Sequence, residues 1–286
     1  MAETSGHVER TISVDFVRRK LTALLSQAAW QLPEDYLAAL RQAHEQEIAP
    51  LGQEIIRLLL VNADRAQAER LPSCQDTGMA ILFIEVGQEV RFVGGDVNTA
   101  IEEAVRQAYR PLRKSVVADP LLRQNTGDNT PPIVHYAIVP GHHVRLRVML
   151  KGFGAELMSR LAMFPPSVGV EGVKRFVVET VKEAGPNACP PVIVGVGLGG
   201  SFDTVALLAK RALMRPLGTS NPTPHLAALE QELLEDINAL GIGPQGFGGT
   251  VTALGVHVVA APTHIAALPV AVNLNCSAPR RAEVLL

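Results

Sequence analysis

Three cysteines, Cys74, Cys189 and Cys276, are the residues of this chain best suited to chemistry, and each sits in a segment that holds a side chain still. Cys189 lies in Gly185-Pro186-Asn187-Ala188-Cys189-Pro190-Pro191, a stiff turn ahead of the apolar run Val192 to Val196 and a glycine-rich stretch to Gly200. Cys74 lies in Leu71-Pro72-Ser73-Cys74-Gln75-Asp76-Thr77-Gly78, and Cys276 in Asn273-Leu274-Asn275-Cys276-Ser277-Ala278-Pro279. A lone cysteine in apolar surroundings is ordinarily an inert packing residue. Proline and turn residues beside all three point instead to thiolates presented from held loops. Three converging thiolates can bind three irons of a cubane and leave the fourth iron open as a Lewis acid. With a fourth ligand they can equally bind zinc. The three are far apart in sequence and form no local motif that chooses between these.

Other polar residues stand where they could serve such a centre. Asp76 follows Cys74 by two, so in a strand or tight loop its carboxylate faces the same cavity; the alternative is an Asx turn. Arg113 follows a helix stop at Pro111 and can hold a carboxylate bidentately. Lys151 ends an apolar run beside Gly152 and Gly154, a place for a cation facing a bound anion. His264 follows Pro262 and precedes an apolar strand, as a site residue or a turn histidine; His257 in a strand and the paired His142 and His143 at a turn are weaker candidates. The polar stretch Asp119 to Pro132 is long enough to be functional rather than idle. Gly195 to Gly200 resembles a dinucleotide fingerprint only in its glycines, because no acidic residue follows where the ribose would need one.

These residues need a scaffold, and composition sets its class. The chain has 286 residues, 47% of them hydrophobic but only 4% aromatic, so a Val, Leu, Ile and Ala core is expected. A net charge of −2 without a basic run leaves no footprint for nucleic acid. No apolar stretch is long enough for a membrane span, and the first twenty residues carry charges throughout, so neither an anchor nor a secretory signal is expected. Three cysteines make no disulfide framework, which points to the cytoplasm.

Helical periodicity covers Val14 to Ala29, a stretch from Pro33 to Ile48, and Leu51 to Arg70 with Ile55, Leu58, Leu59 and Ala66 on one side. These predict an N-terminal helical bundle without chemistry of its own. Met79 to Val86 reads as a strand partnered by Glu89 to Val93; Thr99 to Arg110 reads as a helix capped by Asn98 or Thr99, with Glu102 near its third position. Ile133 to Val139 and Val144 to Leu150 form an expected hairpin about Gly141-His142-His143. Helices follow at Val170 to Ala184, Thr204 to Met214 and Leu226 to Leu240, with strands at Val192 to Val196, Thr250 to Ala260 and Ile265 to Asn273. No internal repeat is legible. The expected fold is α/β, with mixed α+β as its variant: one domain over 1–286, helical over 1–70 and a core over 71–286.

The quoted motifs together resemble a known family. Cys74-Gln75-Asp76-Thr77-Gly78, Leu112-Arg113-Lys114-Ser115, Asn125-Thr126-Gly127-Asp128-Asn129-Thr130-Pro131, Asn187-Ala188-Cys189-Pro190-Pro191, Ile242-Gly243-Pro244-Gln245-Gly246, His264-Ile265-Ala266 and Asn275-Cys276 are similar, in order, to the α subunit or N-terminal domain of the class I, iron–sulfur fumarases and L(+)-tartrate dehydratases. The resemblance implies a [4Fe–4S] cluster on Cys74, Cys189 and Cys276 and reversible hydration of fumarate to (S)-malate, with tartrate dehydration as the alternative. It implies that Arg113 and the backbone at Gly154 hold a small dicarboxylate, while Gln75, Asp76 and His264 line the cavity, Asp76 and His264 as catalytic groups. It implies a separate β subunit that supplies the base, and an (αβ)2 assembly. A reading of another class, a binding or regulatory subunit without catalysis, rests on departures from the family's usual Lys-Gly-x-Gly-Ser-Glu-Asn. Ala155 and Leu157 stand here in place of its serine and asparagine.

Overall fold

The computed structural model describes residues 9–286. In chain order the elements are β1 (Arg10–Ser13), α1 (Val14–Trp30), α2 (Glu34–Gln46), α3 (Pro50–Glu69), β2 (Met79–Gly87), β3 (Val90–Val93), α4 (Val97–Ala108), β4 (Ile133–Val139), β5 (Val144–Lys151), α5 (Phe153–Glu156), β6 (Arg160–Phe164), α6 (Gly169–Ala184), β7 (Val192–Gly200), α7 (Phe202–Ala212), α8 (Pro224–Asn238), β8 (Ala253–Thr263), β9 (Leu268–Asn275) and β10 (Arg281–Leu285). The expected α/β class holds. The chain forms two compact units: one of the described residues up to Leu32 with Ala66–Lys151 and Arg280–Leu286, the other of Pro33–Arg65 and Gly152–Pro279. Among the described residues no helix is long and apolar enough to cross a membrane.

The first unit is built on a four-stranded sheet in the order β10-β5-β2-β4. Central β2 runs parallel to β4 and antiparallel to β5. The expected β4–β5 hairpin is therefore absent, because β2, fully apolar from Ala80 to Ile84, takes the place between them where both its edges are paired. Nor does β3 pair with β2; it forms a short parallel pair with β1. Helix α1 buries Val17, Leu21, Leu24, Leu25 and Ala28 at helical spacing, and this stripe packs with α4 and the inner face of the sheet, including Leu82 and Val148. Helix α4 starts two residues earlier than expected, since Asp96 is the cap: its carboxylate accepts the Thr99 N–H at 2.7 Å.

The second unit has the order β6-β9-β7-β8, with β7 parallel to β8 and antiparallel to β9. Again the two strands adjacent in sequence, β8 and β9, are split by an earlier strand. Both units thus share one wiring: a central strand, then a parallel neighbour on one side and an antiparallel neighbour on the other. This repeat lies in the topology and leaves no trace in the residues. In both units a cysteine turn immediately precedes the central strand.

The glycines of β7 serve packing. A Cβ at Gly195 would stand 2.3 Å from the Ala209 carbonyl oxygen, and one at Gly197 2.2 Å from that of Val205. They let α7 lie directly on one face of β7, while the alternate Val192, Val194 and Val196 face the core made with α6 and α8. The expected N-terminal bundle is not formed: α1 belongs to the first unit, whereas α2 packs on β8 in the second. In α3 the buried positions are Gly52, Ile56, Ala63 and Ala66, a stripe turned from the expected one, and Leu58 is exposed.

Candidate active site

In the first unit the Cys74–Gly78 turn is clamped from several directions. The Ser73 N–H bonds to the Ala29 carbonyl at the end of α1 at 3.0 Å. Asp76 closes an Asx turn, its Oδ1 accepting the Gly78 N–H at 2.9 Å. Gly78 has φ +74°, and a Cβ there would meet the Lys151 carbonyl group at 2.7 Å, so only glycine lets the turn lie against the end of β5. The Thr77 hydroxyl donates to the Arg113 carbonyl at 2.8 Å. The Tyr109 hydroxyl, at the end of α4, lies 3.1 Å from the Thr77 carbonyl oxygen and 3.2 Å from that of Gly78. Buried Asn129 donates to the same Gly78 oxygen at 3.2 Å and accepts the Ser115 N–H at 2.6 Å. The polar 119–132 stretch thus supports the turn.

Within that stretch Thr130 donates its hydroxyl and its N–H to Asp128, and Arg106 adds an ion pair. The Thr130 hydroxyl and N–H, with Arg106, lower the Asp128 pKa to about 2 against the opposing effect of burial. Of the expected site residues here, Cys74 and Asp76 are half-buried, and Gln75 and Arg113 are exposed. Lys151 is fully buried.

In the second unit Cys189 and Cys276 are brought to one end of the sheet. Cys189 closes a 3-10 turn over Gly185–Ala188 in the left-handed conformation, φ +53°, and precedes β7. Cys276 follows β9, which is antiparallel to β7. The Ser277 N–H bonds to the Cys189 carbonyl at 3.0 Å, tying the two cysteine loops directly. Gln245 donates through its backbone and its side chain to the Pro190 carbonyl, both at 2.7 Å, and its amide lies 3.0 Å from the Ser277 hydroxyl. Buried Tyr36 donates to the Ser277 carbonyl at 2.5 Å; burial, then the nearby Cys276, raise its pKa. Gln245 lies in the Ile242–Gly246 motif of the family resemblance, which is its signal in the sequence, and nothing in the sequence marks Tyr36.

Helix α5 lies against the Cys189 turn, with the Gly154 Cβ position 3.6 Å from the Asn187 carbonyl oxygen. Its last residue, Glu156, pairs with Lys210 of α7 and accepts from Asn273 of β9 at 2.7 Å. Asn273 also reaches the Ser159 hydroxyl at 2.8 Å, which accepts the Leu274 N–H at 3.1 Å. Gly154 is thereby fixed to β9, the strand that Cys276 follows. Ala155 is buried, and Leu157 is 73% exposed.

His264 is not brought to these cysteines. It sits exposed in the β8–β9 turn, its Nδ1 accepting the Ala266 N–H at 3.2 Å, next to the Gly200 end of β7. Register places Gly200 opposite Thr263 and Ile193 opposite Asn275, so His264 and Cys276 lie at opposite ends of the sheet, roughly 20–25 Å apart at the usual rise per residue.

None of the three cysteines is in a disulfide. Among the described residues no group of three or more His, Cys, Asp or Glu that could hold a metal ion is found. A cubane asks less of the geometry, because each thiolate binds a different iron. Held thiols of this kind fit its donor set, and the buried Asn275 Nδ2, beside Cys276, has no hydrogen-bond partner of its own.

Comparison with known proteins bears on the same residues. The family model described as fumarate hydratase (Fumerase) matches residues 18–285. A Methanocaldococcus jannaschii protein named "Putative L(+)-tartrate dehydratase subunit alpha" is 40% identical over 269 residues, 91% of this chain and 93% of that protein. L(+)-tartrate dehydratase subunit alpha of Escherichia coli O157:H7 is 37% identical over 271 residues, 93% of this chain and 88% of its own. With a family model spanning both units and every cysteine turn, the chain belongs to the fumarate hydratase family of hydro-lyases.

Proposed function

We propose that this chain is the α subunit of a [4Fe–4S]-dependent dehydratase that removes water from a hydroxy-dicarboxylate, with L(+)-tartrate as its preferred substrate. The observation that carries the substrate is the near full-length similarity, at 37–40% identity, to proteins named for that reaction. Malate and fumarate are the second reading, favoured by the family description and by the 112–131 segment.

Cys74, Cys189 and Cys276 are the proposed ligands, each on a turn held by backbone hydrogen bonds. The cluster, when bound, supplies an open iron that acts as a Lewis acid on the departing hydroxyl. The chain's own residues position the substrate. Exposed Arg113 pairs with one carboxylate in fork geometry. The Gln75 amide and the backbone at Gly154 orient the rest, and buried Lys151 adds positive charge behind the Cys74–Gly78 turn. Asp76, fixed by its turn, holds a proton or water beside the leaving hydroxyl. Removing the proton from the neighbouring carbon needs a base on the opposite face, which we assign to a separate β subunit. Loss of that proton and of hydroxide, as water, leaves an enol that becomes a keto-dicarboxylate. A reducing, cytoplasmic setting suits three cysteines that form no disulfide. His264 can act on substrate at a cluster held by Cys189 and Cys276 only from another copy of the chain, as an (αβ)2 assembly would allow.

The test is anaerobic purification with the candidate β subunit, analysis for iron and sulfide, and parallel assays on L(+)-tartrate and (S)-malate. A brown complex that turns over tartrate faster is the expected result. Faster malate turnover replaces tartrate by the second reading, and a colourless, inactive complex after reconstitution overturns both.

A further inference from the structure

Arg280 is among the largest fully buried side chains, 1% exposed, and its Nε has no hydrogen-bond partner. Among the described residues its guanidinium makes no hydrogen bond and no ion pair. Arginine carries its charge at every accessible pH, so this is a permanent buried cation held in no ion pair, an arrangement that proteins seldom retain without a ligand.

Its position is set by the fold of the first unit. The Arg280 carbonyl accepts the Leu150 N–H at 2.9 Å, which places it beside the end of β5, next to Lys151 and just before β10. The Tyr109 phenol, raised by burial, is drawn down by the Arg280 charge and pushed up by the Asp76 carboxylate. Both charges therefore lie near the hydroxyl that contacts the Thr77 and Gly78 carbonyls. The Arg280 backbone thus adjoins the end of β5 against which the Cys74–Gly78 turn lies.

We infer that Arg280 is the fixed counter-charge of the iron–sulfur centre at the Cys74–Gly78 turn. A [4Fe–4S] core of charge 2+ with three thiolates carries one net negative charge; Lys151 and Asp76 beside the same turn are of opposite sign, which leaves one guanidinium to match it. A substrate carboxylate is the weaker candidate, because it would have to desolvate completely at a 1% exposed residue in each turnover, whereas Arg113 stands exposed for that task. A buried cation beside a cluster favours its reduced form and strengthens its hold on iron. The inference rests on the cluster reading above.

The test compares wild type, Arg280→Met and Arg280→Lys in the anaerobic complex with the β subunit, with and without reconstituted cluster. Three readouts serve: thermal midpoint without cluster, reduction potential, and iron loss to a chelator. Without cluster, Arg280→Met should melt no lower than wild type, because it removes an unpaired buried charge. With cluster, its potential should fall and its iron should leave about tenfold faster. Arg280→Lys, which keeps the charge, should stay near wild type in potential. A lower midpoint of cluster-free Arg280→Met would make Arg280 a structural residue and overturn the inference. Unchanged potential and iron loss in Arg280→Met, beside a brown wild type, would overturn it alone. A wild type that takes up no iron would overturn the cluster reading and the inference with it.

Discussion

Glu47 shows how much a single side chain can organise here. It is 1% exposed, just past α2, and its carboxylate accepts the N–H groups of Ala49, Thr250 and Val251, each at 2.9 Å. Burial alone would raise its pKa; these backbone donors, with the Thr250 hydroxyl, more than offset that and hold it below the usual carboxylate range. A depressed folded-state pKa means that the stabilisation is complete above the unfolded value, about 4.3, and is lost as pH falls through the folded one. Glu47→Gln should therefore destabilise the protein by about 2 kcal/mol at pH 7, since an amide group replaces part of the acceptor that three N–H groups require. Urea unfolding across pH should show that deficit shrinking toward pH 3; a deficit independent of pH would assign it to packing. Nothing in the sequence marks Glu47, because its partners Thr250 and Val251 lie 203 and 204 residues away. The cysteines were legible for the opposite reason: their prolines, glycines and asparagines are local, and local residues make the turns that hold them.

At the scale of elements, periodicity placed most helices within two or three residues, because an apolar stripe repeats inside one segment. Pairing was not legible. The expected β4–β5 hairpin and the expected β2–β3 pair both failed, since strand partners are chosen by burial across the whole sheet, and the apolar strand takes the centre. The glycines of β7 were legible as a demand for close approach, and the structure identifies the approaching group as α7. Helix α5 gives the element-scale test. It has only four residues and depends on Glu156, held by Lys210 and Asn273. Lys210→Met should leave the Glu156 carboxylate with the Asn273 amide and the helix less well placed. We expect a loss of about 1–2 kcal/mol in stability, discounted from a fully buried pair because Lys210 retains some exposure. The Michaelis constant should rise several-fold with the visible spectrum of the cluster unchanged, and Lys210→Arg should restore it. A fall in stability with no change in the Michaelis constant would leave α5 without a role in holding substrate.

For the whole molecule, the repeated wiring and the placement of His264 have to be reconciled with one active site. Each unit carries a cysteine turn ahead of its central strand, and the second adds Cys276 at the same sheet end as Cys189. His264 stands at the other end of that sheet, exposed beside Ile265, which is 91% exposed. A histidine so placed contributes to catalysis at a Cys189- and Cys276-bound cluster only across a contact between copies. Complementation tests this directly. Cys189→Ser and His264→Ala should each be inactive when assembled alone with the β subunit. Assembled together in equal amounts, they should recover about a quarter of wild-type activity, because half of two-fold dimers are mixed and each mixed dimer has one site with a sound cluster and a sound histidine. Recovery at that level would make the (αβ)2 assembly part of the chemistry. Absence of recovery in mixed complexes shown to form, or full activity of His264→Ala by itself, would remove His264 from the site and leave Asp76 as this chain's proposed catalytic side chain.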